Sequence, residues 1–229
     1  MPSTPGRIPF DVPPFALSGT VYGTLLNHRT ALAALAGQLD SPPYQAPPRA
    51  PVLYLKPRNT LAADGDPVWI PPSVPELEVG ACLGIVLGRT ACRLTEEDAL
   101  DHVAGFLIVN DVSVPHPDYY RPSVRYKARD GFCPLGPRVT ALAAAGDPDA
   151  LLIRTYVDGV LAQTAGTADL IRSTARLLAD VTEFMTLAPG DVLAMGAAAP
   201  APRVRAGQTA AIEIDGLGTL TNRFLPEPA

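Results

Sequence analysis

The sequence predicts an α+β fold that is mainly β, and three observations carry the prediction. Apolar runs are short and stop at glycine or a charged residue, as in "GACLGIVLGR" and "FLIVND". Runs of that length suit buried strands rather than helices. The segment "DALLIRTYVDGVLAQTA" holds two strand-like runs joined by Asp158-Gly159, a dipeptide that favours the tight turn of a β-hairpin. Helical spacing of apolar residues is confined to a few stretches, so helices are few and inserted between strands.

The elements follow in chain order. Residues 1–17 are proline-rich and are expected to run extended over the surface, ahead of a single domain over residues 18–229. "SGTVYGTLLN" reads as a strand, and "RTALAALAGQLD" as a short helix with Gly37 near its end. "SPPYQAPPRAP" is too rich in proline for regular structure. "VLYLKP" is a strand that delivers Lys56 at its end, and "DGDPVWIPP" a turn with a short strand. "GACLGIVLGR" is a strand buried on both faces. "TEEDALDHVAGF" opens a helix, with Thr95 as its N-cap and acidic residues in its first turn. "FLIVND" is a second buried strand and carries Asp111 to its polar end. After the hairpin, "TADLIRSTARLLADVTEFM" is the longest amphipathic helix, with Leu170, Thr174, Leu177, Leu178 and Val181 on one stripe. "APGDVLAMG" and "GQTAAIEIDGLGTLTNRF" close the chain as strands and a glycine-led hairpin.

Composition narrows the function. The net charge is −5 and no Lys/Arg-rich run occurs, which argues against a nucleic-acid partner. The beginning of the chain has no apolar run suited to a signal peptide, and no stretch is long and apolar enough to span a bilayer. The three cysteines, Cys82, Cys92 and Cys133, are odd in number and form no C-x-x-C pair, so they read as reduced thiols of a cytoplasmic protein. Motifs for nucleotide phosphates, zinc hydrolysis and the α/β-hydrolase nucleophile are missing from the sequence.

Ionisable groups concentrate instead in "NDVSVPHPDYYRPSVRYKARDGFCPLGP". Asp111, at the end of a buried strand, could hold a divalent cation through its oxygens or cap the following turn. Lys127 and Arg129 could bind a substrate carboxylate, or form a surface ion-pair cluster with Asp130. Arg125 and Tyr120 lie in the same stretch and, with Lys56, are candidate substrate-binding groups. Asp130 precedes Gly131 and is expected to be structural, pairing with Arg129 or capping the turn. His28 in "LLNHRT" stands where a strand meets a helix; it could act as a general base or simply hydrogen-bond the turn. His102 reads as structural, and His116 lies between prolines in a loop.

In combination, "NDVS", "YYRP…RYKARDGFCPLGP" and "TADLIRSTARLLADVTEFMTLAPGDVLAMG" resemble the fumarylacetoacetate hydrolase family, from about Tyr22 to Arg223. "LLNHRT" and "SPPYQAPPRAPVLYLKPRNT" are similar to one branch, the N-terminal half or separate subunit of the decarboxylase/isomerase of 4-hydroxyphenylacetate (homoprotocatechuate) degradation. The resemblance implies a mixed β-roll with few inserted helices. It implies a Mg²⁺ or Mn²⁺ ion held by a Glu-x-Glu pair and an Asp, chelating a 2-oxo di- or tricarboxylate and stabilising its enolate. Asp111 matches the Asp, and Lys127 the cation beside the enolate; Arg129 would assist it, and His28 would transfer protons.

The family's Glu-x-Glu slots hold Gly80 and Cys82 here, which leaves the implied ligand set incomplete. Glu76 and Glu78 have the right spacing to each other and are the alternative ligands, but they lie four residues early. Four residues amount to ~13 Å along a strand. Ala31 and Ala34 fall in the slots of the family's lid His and Glu. The implied reactions are decarboxylation of a 5-oxopent-3-ene-1,2,5-tricarboxylate type of substrate, or isomerisation or C–C hydrolysis through the same enolate. A non-catalytic partner subunit with a degenerate metal site is the alternative. A mean hydropathy of +0.15 and the Ala-rich "RTALAALAG" helix predict an oligomer, a homodimer or a hetero-oligomer with a related subunit.

Overall fold

The structure is a computed structural model that describes residues 17–117 and 123–228. Residues 1–16 of the expected arm, and Tyr120, lie outside the described residues. The strands in chain order are β1 (Val21–Leu25), β2 (Val52–Lys56), β3 (Leu61–Ala62), β4 (Val68–Ile70), β5 (Leu77–Glu78), β6 (Ala81–Leu87) and β7 (Val103–Asn110). They continue with β8 (Cys133–Ala141), β9 (Leu152–Val157), β10 (Val160–Gly166), β11 (Val192–Ala194), β12 (Arg203–Val204), β13 (Thr209–Ile214) and β14 (Gly218–Pro226). The helices are α1 (Arg29–Leu39), α2 (Val124–Lys127), α3 (Leu142–Ala145) and α4 (Thr174–Thr182).

Seven strands form one sheet in the order β2-β1-β11-β6-β7-β8-β3, and five form a second in the order β10-β9-β13-β14-β4. All seven residues of β6 are buried, as its unbroken apolar run requires. Alternation along the strand then serves two cores at once. Leu83, Ile85 and Leu87, with Phe106 and Ile108 of β7, face a large core shared with Ile153, Ile212, Leu220 and Phe224 of the second sheet. Leu177, Leu178 and Val181 of α4 close that core. Cys82, Val86, Leu107 and Val109 point the other way and pack with Val21, Cys133, Leu135 and Val192 inside the curl of the first sheet. Each such side chain removed from water contributes about 1.5–3 kcal/mol before the entropy of ordering is counted. The hairpin at Asp158-Gly159 forms as expected, with both turn residues at positive φ (49° and 79°).

Two helix expectations are corrected. No α-helix starts at Thr95: its hydroxyl accepts from Asp98 N at 3.3 Å, but only a 3₁₀ turn, Ala99–His102, follows. β7 begins at Val103, so the chain has no room for more turns before it must extend. The second helix is shorter than its apolar stripe. Thr167–Asp169 is a 3₁₀ turn, and Leu170 forms a β-bridge with His28. α4 starts only after Ser173, whose hydroxyl accepts from Arg176 N, and Asp149 accepts from Thr174 N at 2.8 Å. With nine residues it is shorter than the eleven-residue α1. Among the described residues no helix is long and apolar enough to cross a membrane.

Candidate functional site

The ladder between β6 and β7 carries the site. It pairs Ala81 with Asn110 and runs on past the strand ends, with Asp111 N donating to Gly80 O at 2.9 Å. Glu78 and Ser113 then bridge. Because side chains alternate, Cys82, Gly80 and Glu78 share one face, opposite Val109, Asp111 and Ser113. Glu78 therefore stands on the same face as Gly80, one pleat further on, or about 7 Å away.

Asp111 is the hub. Lys56 Nζ lies 2.8 Å from its Oδ1 and Lys127 Nζ 2.5 Å from its Oδ2. The Tyr54 hydroxyl donates to the same Oδ2. Tyr54 reaches it by crossing β1 at Gly23, where an added Cβ would lie 2.0 Å from the Tyr54 ring. Asp111, Lys56 and Lys127 are 6%, 2% and 7% exposed, so these charges interact away from bulk water. Lys56 Nζ also donates to the carbonyls of Val112 (2.7 Å), Lys127 (3.0 Å) and Phe132 (2.7 Å). Three carbonyl acceptors need three protons, which only the ammonium form supplies. Burial raises the Asp111 carboxyl, but the Lys127 and Lys56 ammoniums outweigh it and hold the carboxyl well below the usual range. Burial in turn lowers Lys56, opposed by Asp111 and assisted by Lys127. One carboxylate with two ammoniums leaves the hub with an excess positive charge.

A cavity of about 290 Å³ opens over this hub. Lys127, Asp111, Gly80, Glu78, Ser113 and Arg203 line its polar side, and Ala31, Ala34 and Leu35 of α1 its opposite wall. Lys127 comes from the single turn of α2 and donates within the described residues only to Asp111. Its Nζ also sits 4.9 Å from the centre of the Tyr54 ring, so it borders the cavity with donor capacity to spare. Arg203 is a functional candidate that sequence reasoning missed. It lies on β12 directly opposite Glu78 of β5 and pairs with Glu76 at 2.6 Å and Glu78 at 3.6 Å. No motif marks it; only the pairing of two-residue strands brings it to the cavity.

The sequence candidates thus separate. Asp111, Lys127 and Glu78 meet at the cavity. Lys56 lies beneath it with its protons committed, which removes it from substrate contact. Glu76 points to Arg203 and Arg205, and the hydrogen bond from Arg203 is the chief cause of its lowered pKa. His28 caps α1, its Nδ1 accepting from Thr30 N at 3.3 Å, and it is not among the cavity's lining residues. Burial first, against Asp169 and Gly166, lowers its pKa. Arg125 is exposed on α2. Arg129 borders a separate depression with Asp130, Trp69 and Phe132. Asp130 accepts from Asn59 Nδ2 at 2.7 Å, which ties its turn to the 3₁₀ turn Arg58–Thr60; Arg129 itself donates to Arg125 O.

The donor set does not fit a divalent ion. Asp111 Oδ2 accepts from Lys127, and Oδ1, which accepts no hydrogen bond among the described residues, is faced at 2.8 Å by the Lys56 ammonium, so a positive charge already stands against each oxygen. The Glu78 oxygens hold Ser113 and Arg203 (3.3 and 3.6 Å). An added Cβ at Gly80 would lie 2.4 Å from Asp111 O, so this backbone has closed over the slot. Among the described residues no three His, Cys, Asp or Glu side chains are grouped to hold a metal.

The geometry is that of a mostly stranded, mixed sheet with a buried carboxylate at the floor of a small cavity, and the comparisons with known proteins place that fold in a family. Residues 20–225 match the fumarylacetoacetate (FAA) hydrolase C-terminal family, and the chain belongs to it. It is 40% identical over 211 residues to the 4-hydroxyphenylacetate degradation bifunctional isomerase/decarboxylase of Salmonella dublin, covering 92% of this chain and 48% of that protein. The chain thus spans about half the length of the curated relatives it matches. Its fold resembles 5-carboxymethyl-2-hydroxymuconate delta-isomerase from Mycobacterium smegmatis, with a TM-score of 0.78 and 29% identity over 92% of this chain and 78% of that one. Maleylpyruvate hydrolase from Sphingobium sp. SYK-6, solved with manganese(II) and pyruvate, superposes with a TM-score of 0.75 and 28% identity over 91% and 71% of the two chains.

Proposed function

We propose that this chain is the decarboxylase half of an isomerase/decarboxylase, acting on a 2-oxo-alkene tricarboxylate in the breakdown of aromatic compounds. The observation that carries the reading is Lys127, an ammonium with unused donors at the floor of a cavity whose α1 wall is alanine. Decarboxylation needs an electron sink more than a base. The C–C bond to the departing carboxylate breaks, CO₂ leaves, and the electron pair runs through the conjugated chain to the 2-oxo oxygen. An ammonium at that oxygen stabilises the charge as it forms. A proton from solvent then completes the product. Hydrolysis would need a base to activate water; Ala31 and Ala34 supply none, and the Glu78 carboxylate at the cavity is engaged by Arg203 and Ser113. Arg203, on the far side of Glu78, is placed to meet a second carboxylate of the substrate.

The same alanine wall supports a second reading, a non-catalytic partner that stabilises a related, active subunit. Leu55, Val124 and Phe184, more than half exposed, border an apolar groove, which suits assembly as a homodimer or with such a subunit. Incubation with the tricarboxylate, following CO₂ release and diene absorbance separately, distinguishes the readings. CO₂ release supports the decarboxylase, a diene shift alone the isomerase, and neither the non-catalytic partner.

A further inference from the structure

We infer that the hub binds the 2-oxo carboxylate group without a divalent cation, the two internal ammoniums supplying the +2 charge that an ion would bring. The inference rests on the substrate class proposed above. Its ground is geometry. A chelated ion needs carboxylate oxygens free of other cations and converging on one point, whereas an ammonium stands against each Asp111 oxygen, Lys127 hydrogen-bonded to Oδ2 and Lys56 in ionic contact with Oδ1 at 2.8 Å. Lys56 is not displaceable at low cost, because its ammonium also satisfies the carbonyls of Val112, Lys127 and Phe132. Those three carbonyls join the end of β7, α2 and the approach to β8. An ion that expelled Lys56 would strand three buried acceptors and an ammonium.

The neighbouring slot is closed as well, since Gly80 leaves no space for a side chain against Asp111 O. The replacement is also consistent in sign. A divalent ion on one carboxylate leaves +1, and two ammoniums on one carboxylate leave +1. The arrangement would bind an anionic 2-oxo acid through Lys127, the ammonium that borders the cavity, while Lys56 holds Asp111 in place as a positioning residue.

The test uses the whole chain and oxalate, a planar mimic of a 2-oxo acid enolate. Titration calorimetry is run in excess EDTA and again with Mn²⁺, alongside Mn²⁺ electron paramagnetic resonance on the protein alone. The expected result is oxalate binding that is the same in both buffers, no protein-bound Mn²⁺, and a loss of affinity of about tenfold or more in Lys127→Met. Oxalate binding that requires Mn²⁺, or stoichiometric Mn²⁺ binding to the free protein, overturns the inference but leaves the proposed substrate class standing. No oxalate binding in either buffer overturns both. If Lys127→Met fails to fold, the comparison of buffers on the unaltered chain still decides.

Discussion

Replacing Lys56 by methionine removes one ammonium while keeping most of the side chain's length and volume. Asp111 Oδ1 loses the partner at 2.8 Å, and three carbonyls lose their donor. Truncating one member of a buried ion pair costs about 3–5 kcal/mol, and each lost carbonyl bond adds about 1 kcal/mol. Lys127 still neutralises Asp111, and the thioether relieves the desolvation of a buried ammonium, so the net is about 4 kcal/mol. Total stability of a domain is about 5–15 kcal/mol, so the change is severe without being lethal. At about 2–4 °C per kcal/mol for this size, Lys56→Met should melt about 8–16 °C below the parent by calorimetry. Arg176→Met removes exposed pairs with Glu96 and Asp180 and serves as the control, with a loss below about 1 kcal/mol. A Lys56→Met melting point within about 2 °C of the parent would refute the hub.

Three further outcomes follow from the same geometry. His28→Ala should cost about 1 kcal/mol through loss of the α1 cap, with turnover of the folded protein within about twofold of the parent, checked by melting and initial rates. Because the folded Asp111 carboxyl is held below its unfolded value of about 4, its stabilisation is complete above that pH. It is lost as pH falls through the depressed folded value, and urea midpoints measured between about pH 6 and pH 3 should fall more steeply in the parent than in Asp111→Asn. Iodoacetamide at about pH 8 should label Cys92, which is exposed, and spare Cys82 and Cys133, which are buried. Burial raises both buried thiols, that of Cys133 to about 12; peptide mass mapping reads the result.

What could be read from the sequence was set by how local its cause is. The buried β6 was legible because an unbroken apolar run has few other uses, and the Asp158-Gly159 hairpin because the turn chemistry lies within two residues. The start of α4 was not, because a cap at Ser173 and a bridge from His28 to Leu170 overrode an apolar stripe that continues through them. At the site, Asp111 and Lys127 were legible as a pair of motifs. The roles of Lys56 and Tyr54 were not, because the hub joins the ends of β2 and β7, the turn of α2 and the approach to β8, segments far apart in the chain. Glu78 sits four residues before Cys82, yet period-two alternation keeps it on the same face; its closeness to Asp111 depends on the Glu78–Ser113 bridge, which only the fold specifies. Arg203 carried no local signal.

The central claim is that Lys127 receives the charge that develops on the substrate's 2-oxo oxygen. Its most direct test is kcat for CO₂ release from the tricarboxylate by the parent and by Lys127→Met, with folding of both verified by circular dichroism. Losing one donor to a developing oxyanion lowers kcat by about 10²–10³, and that fall is the predicted result. An unchanged kcat in folded Lys127→Met would contradict the account.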